Sequence, residues 1–320
     1  AKWAVAQAQK AGANEAAVDL ASSRQIEIEH RDKKIDKLQE STENGLNLRI
    51  FANNRYSSHS TNDIRKEALG KFVEEAVAMT KYLGEDPMRT LPDPKYYQGM
   101  SDVKLGVCDD NYDSVRSDQR VKLAREIEEH AVSKSDKILY CTSSYNDGLY
   151  ESVKVHSNGF EGTRKSTVFS AGVEVAVTDG KGGRPSSWDW KTVRRWNDLP
   201  ASETYGKLAV ERALARVGGE KLDSGSYDVI VENRARTSLL GALQGPMGGR
   251  NLQQKNSCLE GKLGQKIFSD KLTIKEDPFI KGALGSRLYD GDGFPTRKRT
   301  LIDKGVLKEY LIDWYYSRKL

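Results

Sequence analysis

Apolar and polar residues alternate along several stretches of the first part of the chain. The apolar members of this pattern near the N-terminus are Ala17, Val18, Leu20, Ile26, Ile28, Leu46, Leu48 and Ile50. A period of two is typical of β-strands with one buried face, so the pattern predicts three strands. The sequence Glu43-Asn44-Gly45 predicts a turn between the last two.

Helical periods lie on both sides of these strands. The apolar residues within 2–11 recur with the spacing of a helix. A second apolar stripe with this spacing extends over 64–79 and follows a predicted N-cap at 60–63. Three prolines then indicate a linker or surface loop over 87–100. Residues 1–90 are therefore predicted to form a unit of helix, strands and helix.

The same order of elements recurs over residues 105–220. Helices are predicted over 114–133 and 204–217, and Asn158-Gly159 predicts a type I′ hairpin turn. The strands predicted between the helices are 137–142, 149–157, 161–170 and 172–178. Duplication of one α+β unit is a hypothesis, because each half alone would leave a sheet face uncovered. Identity between the halves is too weak to prove it.

The pattern changes to short apolar runs and glycine turns after residue 225. A strand over 228–231 and a helix over 234–243 come first, followed by a glycine-rich segment at 245–249. Further β elements are predicted at Ile267, 272–274, 287–289, 300–302 and 306–312. The predicted fold class is α+β: an N-terminal region, 1–225, of mixed or antiparallel sheets flanked by helices, and a β-rich C-terminal domain, 226–320.

Composition narrows the classes of function. The chain has 320 residues and a net charge of +5, with an excess of basic residues over 281–320 that favours a solvated sheet edge or partner interface over nucleic-acid binding. Three widely spaced cysteines without a C-x-x-C pair indicate a reducing compartment, so we expect a cytoplasmic protein. No apolar run approaches a membrane span, and no signal peptide is evident at the N-terminus.

Motifs of catalysis and cofactor binding are weak in this chain. The four histidines share no metal-ligand spacing, and neither a phosphate-binding loop nor a serine-nucleophile elbow is found. Asp290-Gly291-Asp292-Gly293 is predicted to be a turn rather than a calcium loop. Cys258 lies beside Ser257 with no histidine downstream, which favours a structural thiol.

Several segments resemble the TldD/PmbA family, whose members were once described as modulators of DNA gyrase. The resemblance covers essentially the whole chain, and its C-terminal motifs are quite specific. The segments that carry it are Ala11–Leu20, Glu40–Phe51, Ser60–Ile64, Asn256–Pro278 and Gly285–Leu320.

This resemblance places a degenerate motif at residues 232–237. In the TldD branch a HExxxH segment supplies two zinc histidines and a glutamate that activates water. Here the three positions are Glu232, Asn233 and Thr237. An amide is no general base and threonine is a poor zinc ligand, so the chain is similar to the PmbA branch, also called TldE.

Membership of the PmbA branch implies a non-catalytic subunit that acts with a TldD-type chain on peptides or unfolded proteins. Zinc is expected in the partner subunit, and no cofactor is expected in this chain. Without the partner, the chain could form a homodimer instead. Arg234, Arg236, Ser257 and Cys258 are candidates for a peptide groove or interface. Extended peptides can also pair with a strand edge. Relatives are expected to continue beyond Leu320, so the C-terminal domain would be incomplete.

Two other functions stay open at the level of sequence. One is an independent hydrolase that uses Cys258 with a histidine brought near by folding. The other is a modulator that binds DNA gyrase or nucleic acid through the basic segment 281–320, although association with gyrase is not favoured.

Overall fold

A six-stranded antiparallel sheet is the largest element of the computed structural model, which describes residues 1–320. The strands lie in the order β3-β2-β1-β4-β5-β6. Their bounds are Glu15–Arg31 (β1), Lys34–Ala52 (β2), Arg55–Thr61 (β3), Ile138–His156 (β4), Glu161–Val177 (β5) and Ser186–Val193 (β6). The predicted α+β class is confirmed, and the sheet of the first 225 residues is antiparallel throughout.

Four helices cover one face of this sheet. They are α1 (Lys2–Lys10), α2 (Lys66–Thr80), α3 (Ser117–Val132) and α4 (Ser202–Leu214). Val18 of β1 packs in a buried cluster with α1 and α2, whereas Ile28 of the same strand packs in a second cluster with α3 and α4. Both residues have even numbers on an unbroken strand, so they point to the same face.

The two halves of the N-terminal region have the same order of elements. Each contributes a helix, three strands and a second helix, and the halves join where β1 pairs with β4. This pairing extends from Ala17 opposite His156 to Arg31 opposite Thr142. The shared order supports the duplication hypothesis, which stays a proposal.

The turn predicted at Glu43-Asn44-Gly45 is wrong. Strand β2 continues through these residues, and Gly45 lies opposite Ala21 in the ladder. The chain turns instead at Asp32-Lys33, where both residues have positive φ angles of 52° and 60°. Two consecutive residues of positive φ are typical of a type I′ hairpin, but Asp-Lys lacks the glycine that usually marks one.

The hairpin at Asn158-Gly159 is in the predicted place with a different turn. Gly159 has φ of 103°, whereas Asn158 is not among the residues of positive φ, so the predicted type I′ geometry is wrong. The Gly159 N–H donates to the His156 carbonyl at 3.1 Å and closes the turn around Ser157 and Asn158.

Two strands of the sheet are longer than predicted. The separate strands predicted on either side of residues 143–148 form one long β4, and those on either side of Ala171 form one β5. Helix α2 begins after Arg65 without a side-chain cap, so the N-cap predicted at 60–63 is also wrong.

The C-terminal region contains a small sheet and three short helices. The sheet has strands β7 (Ile274–Glu276), β8 (Arg299–Asp303) and β9 (Val306–Leu307). The helices are α5 (Arg236–Met247), α6 (Gly249–Gln253) and α7 (Trp314–Lys319). No strand forms at 228–231, where the backbone is exposed, and α5 extends through most of the predicted glycine-rich segment. At 287–289 only an isolated bridge from Tyr289 to Pro295 is found, so this region has fewer strands than predicted. None of the helices is long and apolar enough to span a bilayer.

Candidate functional site

Residues 232–237 lead from an exposed segment into α5. Glu232 precedes a short 3-10 turn, Asn233–Ala235, and its carboxylate accepts hydrogen bonds from Arg234 at 3.1 Å and from Arg212 of α4 at 3.4 Å. The hydrogen bond from Arg234, with the positive charges of Arg234 and Arg212, holds the pKa of Glu232 below its usual value. Glu232 is therefore a charged group that is already paired with two arginines.

The same arginines connect Glu232 to the edge of the sheet. The Arg234 guanidinium lies 5.0 Å from the Trp188 ring centroid and donates to the Trp188 carbonyl at 3.1 Å. Arg212 also donates to the Asp189 carboxylate at 2.8 Å, and Asp189 is 1 % exposed. The result is an ion network that joins α4, β6 and the start of the C-terminal region.

The other predicted site residues do not converge on Glu232. Asn233 and Thr237 are exposed, and Arg236 donates to the Asn233 carbonyl at 2.6 Å. Ser257 donates to the Pro246 carbonyl near the last turn of α5, and the adjacent Cys258 is exposed. Because a helix rises 1.5 Å per residue, the two ends of α5 are about 16 Å apart. The candidates therefore form two separate groups.

The residues of the degenerate motif do not fit a zinc ion. Zinc requires histidine, cysteine or carboxylate ligands that converge on one point. No group of three such side chains converges anywhere in the chain. At the motif the carboxylate of Glu232 is held by arginines, and its neighbours offer an amide and a hydroxyl. A zinc ion therefore has no complete set of ligands at this segment.

The sheet face opposite the helices is polar and carries a groove that the sequence patterns did not predict. A cavity of about 610 Å³ lies over one end of this face. It is lined by Glu29, Arg31, Tyr140, Thr142, Ser144, Val173, Glu174, Trp188 and Trp190. A Cβ atom on Gly172 would lie 2.3 Å from the Trp190 ring, so this glycine permits the ring to lie on the sheet. The sequence Trp188-Asp189-Trp190 could have indicated this groove, because two residues that are two positions apart on a strand point to the same face of the sheet.

A second polar cluster on the same face centres on His156. Arg49 donates to Nε2 at 3.1 Å, so Nε2 is the unprotonated nitrogen, and Nδ1 then donates to the Tyr97 hydroxyl at 3.0 Å. Burial, with the positive charges of Arg49 and Lys154, lowers the pKa of His156 to about 3. The imidazole is therefore neutral near pH 7.

This cluster also binds the C-terminal region to the sheet. Lys154 pairs with Asp19 at 2.7 Å and donates to the Gly291 carbonyl at 2.8 Å. The Asp290 carboxylate accepts from the backbone N–H groups of Asp292 and Phe294, so residues 290–293 form the expected turn. The aspartates of this segment therefore act within a turn that contacts the sheet.

Comparison with known families places the chain, with its antiparallel sheet backed by helices and its small C-terminal sheet, in a metallopeptidase class of protein. Three domain models match the chain in order: PmbA/TldA metallopeptidase domain 1 at residues 16–80, the central domain at 110–217 and the C-terminal domain at 224–320. The chain belongs to the PmbA/TldD metallopeptidase family.

Known relatives agree with this assignment. Metalloprotease PmbA of Escherichia coli O157:H7 is 26 % identical over 317 residues, which is 95 % of this chain and 67 % of the relative. The PmbA homologue of Buchnera aphidicola subsp. Acyrthosiphon pisum is 25 % identical over 92 % of this chain and 66 % of its own length. The chain thus spans about two thirds of these relatives. A TldD homologue of the same Buchnera is 29 % identical over 53 % of this chain and 38 % of its own length.

Solved structures share the fold. A crystal structure from Bacteroides thetaiotaomicron, of a protein described as a candidate modulator of DNA gyrase, is 36 % identical, with a TM-score of 0.95. The alignment covers 100 % of this chain and 72 % of that one. TldE from Thermococcus kodakarensis is 20 % identical with a TM-score of 0.80 over 99 % of this chain and 71 % of its own, a likeness of fold alone.

Proposed function

We propose that this chain is a PmbA/TldE-type, non-catalytic subunit of a peptidase complex whose zinc-binding, catalytic subunit is a TldD-type chain. The observation that carries the proposal is the state of the degenerate motif. Glu232 is paired with Arg212 and Arg234, and Asn233 and Thr237 replace a base and a ligand. The match to PmbA relatives over almost the whole chain supports the same branch.

The substrates we propose are peptides or unfolded proteins, which this subunit would help to hold. The polar sheet face supports that role because its groove combines the aromatic rings of Trp188 and Trp190 with the charged groups of Glu29 and Arg31. Edge pairing on β6 is less available. Arg216 donates to the Ser186 carbonyl at 2.6 Å and Arg234 to the Trp188 carbonyl, so these edge acceptors are already used.

The test is to purify the chain alone and together with the TldD-type chain of the same genome. Alone, the chain is expected to retain no stoichiometric zinc and to leave an unfolded protein substrate intact. The pair should co-purify, contain zinc and cleave the substrate. Changing the glutamate of the partner's HExxxH motif to glutamine should abolish cleavage and leave the association intact. Stoichiometric zinc and cleavage by the chain alone would contradict the proposal.

The structure weakens the support for a nucleic-acid function. Most basic side chains of the C-terminal segment have acidic partners, as in Arg299 with Glu276, Lys298 with Asp277 at 2.8 Å and Lys319 with Asp86 at 3.2 Å. Paired charges offer less to a phosphate backbone than free ones. An independent hydrolase centred on the exposed Cys258 gains no support, since no side-chain hydrogen bond reaches it. A cytoplasmic location and a homodimer without the partner stay proposals.

A further inference from the structure

A basic cavity of about 630 Å³ lies between the N-terminal sheet and the C-terminal region, apart from the degenerate motif and the aromatic groove. Four chain segments line it: the loop 103–110, residues 163–166 of β5, Arg194 and Arg195 after β6, and residues 284–289. Cavities of this size are typical of sites for small ligands.

Positive charge dominates the lining of the basic cavity. It contains the cations Arg164, Lys165, Arg194, Arg195 and Arg287, and a single acidic residue, Asp110. Lys165 is paired with Glu151 at 2.9 Å, and Arg287 with Glu276 at 3.1 Å. The three other arginines have no carboxylate within the 4 Å of an ion pair, which leaves an uncompensated charge around the cavity.

Arg194 is the buried member of this cluster. Its side chain donates to the carbonyls of Thr167, at 3.0 Å, and Leu284, while its Nε has no hydrogen-bond partner. The residue is 8 % exposed, and burial lowers the pKa of its guanidinium. A buried cation without a counter-charge is costly, and an anion in the adjoining cavity would offset that cost.

Arg164 and Arg195 are placed to contact such an anion directly. The Arg164 guanidinium lies 3.9 Å from the Tyr289 ring centroid and donates to the Tyr289 carbonyl, so its orientation is fixed. Arg195 is exposed and its side chain donates no hydrogen bond, so all its donors are free. Free guanidinium donors bind carboxylates and phosphates in pairs of parallel hydrogen bonds.

Apolar side chains complete the basic cavity. Val103, Leu105, Leu284 and Leu288 line it together with the arginines. An apolar wall next to uncompensated cations suits a ligand with one anionic end and an apolar body. A fully hydrated phosphate ion would gain nothing from that wall.

We propose that the basic cavity binds the free C-terminal carboxylate of a peptide, with the apolar side chain of its last residue against the leucines. The choice of a peptide rests on the proposed function, whereas the preference for an anion follows from the arginines alone. The carboxylate would contact Arg164 and Arg195, and Arg194 would add a fixed positive field.

The experiment compares two fluorescent tetrapeptides that end in leucine, one with a free carboxylate and one with a C-terminal amide. Fluorescence anisotropy measures their binding to the purified chain at constant ionic strength. The free acid is expected to bind roughly tenfold tighter or more, because charge-assisted hydrogen bonds are stronger than neutral ones. Arg164→Gln and Arg195→Gln should each reduce binding of the acid toward that of the amide.

Arg125→Gln is the matched control, since Arg125 lies on α3 and pairs with Glu129 at 3.7 Å. It should leave binding of the acid unchanged. Because Arg164 packs on Tyr289, its variant is compared with wild type by thermal unfolding, and Arg195→Gln provides the test if Arg164→Gln unfolds.

Equal binding of acid and amide, or binding of neither, would overturn the inference. The inference would also fail if inorganic phosphate displaced the fluorescent acid peptide at a lower concentration than the unlabelled acid peptide does. The cavity would then be a phosphate site. The assay uses this chain alone and no zinc. A complex that cleaves peptides while acid and amide bind equally would sink this inference and leave the proposed function standing. If the chain binds the acid peptide specifically but never associates with a TldD-type partner, this inference stands and the proposed function is contradicted.

Discussion

His156 couples folding to pH through its buried, neutral imidazole. In the folded chain its pKa is about 3, against an ordinary value of 6.5, because of burial and the nearby Arg49 and Lys154. Between these two values only the unfolded chain binds the proton, so acidification stabilises the unfolded state. The wild type should lose about 2 kcal/mol of unfolding free energy through this group between pH 7.5 and 5.

The measurement is urea unfolding of the wild type and of His156→Gln at both pH values. Glutamine does not titrate, so the difference in unfolding free energy between the two proteins should change by about 2 kcal/mol in favour of the variant at pH 5. His130→Gln, at a partly exposed position of α3, is the control and should follow the wild type. An identical pH dependence in wild type and His156→Gln would contradict the assignment of a neutral His156.

The family resemblance predicts that Glu232, Asn233 and Thr237 occupy a degenerate motif, which stays a prediction, and it does not predict which side chains contact them. The hydrogen bond from Arg212 to Glu232 depends on α4 lying beside the exposed segment, which no local pattern encodes. Partners distant in sequence therefore decide whether a carboxylate is free for chemistry.

At the scale of elements, the longer helices α1 to α5 were predictable, whereas the short helices α6 and α7 and the hairpin turns were not. Helix α3 lies within the predicted 114–133 because its apolar stripe repeats with a helical period. Asn44-Gly45 has turn-forming residues, yet pairing with Ala21 and Ser22 of β1 keeps both in a strand. Ladder hydrogen bonds and neighbouring strands outweigh intrinsic turn preference here.

A buried ion pair fastens α3 to β4. Arg120 of α3 donates to the Asp147 carboxylate, and Asp147 also accepts from the hydroxyls of Tyr112 and Tyr145. The side chains of Arg120 and Asp147 are 4 % and 0 % exposed. Removing one partner leaves a buried unpaired charge, so Asp147→Asn should destabilise the chain by about 3 to 5 kcal/mol.

A double-mutant cycle measures this coupling by urea unfolding. Arg120→Met and Asp147→Asn should each be costly, and the double variant should lose clearly less than their sum. Arg125→Ala is the control on the same helix, because Arg125 is half exposed and its ion pair should contribute less than about 1 kcal/mol. Strictly additive losses would show that Arg120 and Asp147 act independently.

At the scale of the molecule, sequence patterns predicted two units with the same order of elements, but they did not predict that the strands of both units form one sheet. The pairing of β1 with β4 joins Ala17 to His156, and periodicity carries no information about such distant partners. The basic cavity escaped prediction for the same reason. Its arginines at 164, 194 and 287 come from different segments, and each alone reads as an ordinary surface charge.

Contacts across the chain predict how its two regions behave when the connection between them is cut. Residues 218–231 are exposed throughout, so trypsin should cleave first at Lys221. The C-terminal region is nevertheless bound to the remainder by contacts distant from the cut. These include Arg194 to the Leu284 carbonyl, Lys154 to the Gly291 carbonyl and Tyr315 to Asp86.

The two fragments should therefore appear on a denaturing gel yet elute together in native size-exclusion chromatography. Lys221→Gln is the control and should slow the first cut without changing the elution of the intact chain. Separation of the fragments under native conditions would mean that the region from 226 onward is an independent domain. Co-elution would mean that residues 226–320 depend on the sheet for their position, and the basic cavity between them would survive the cut.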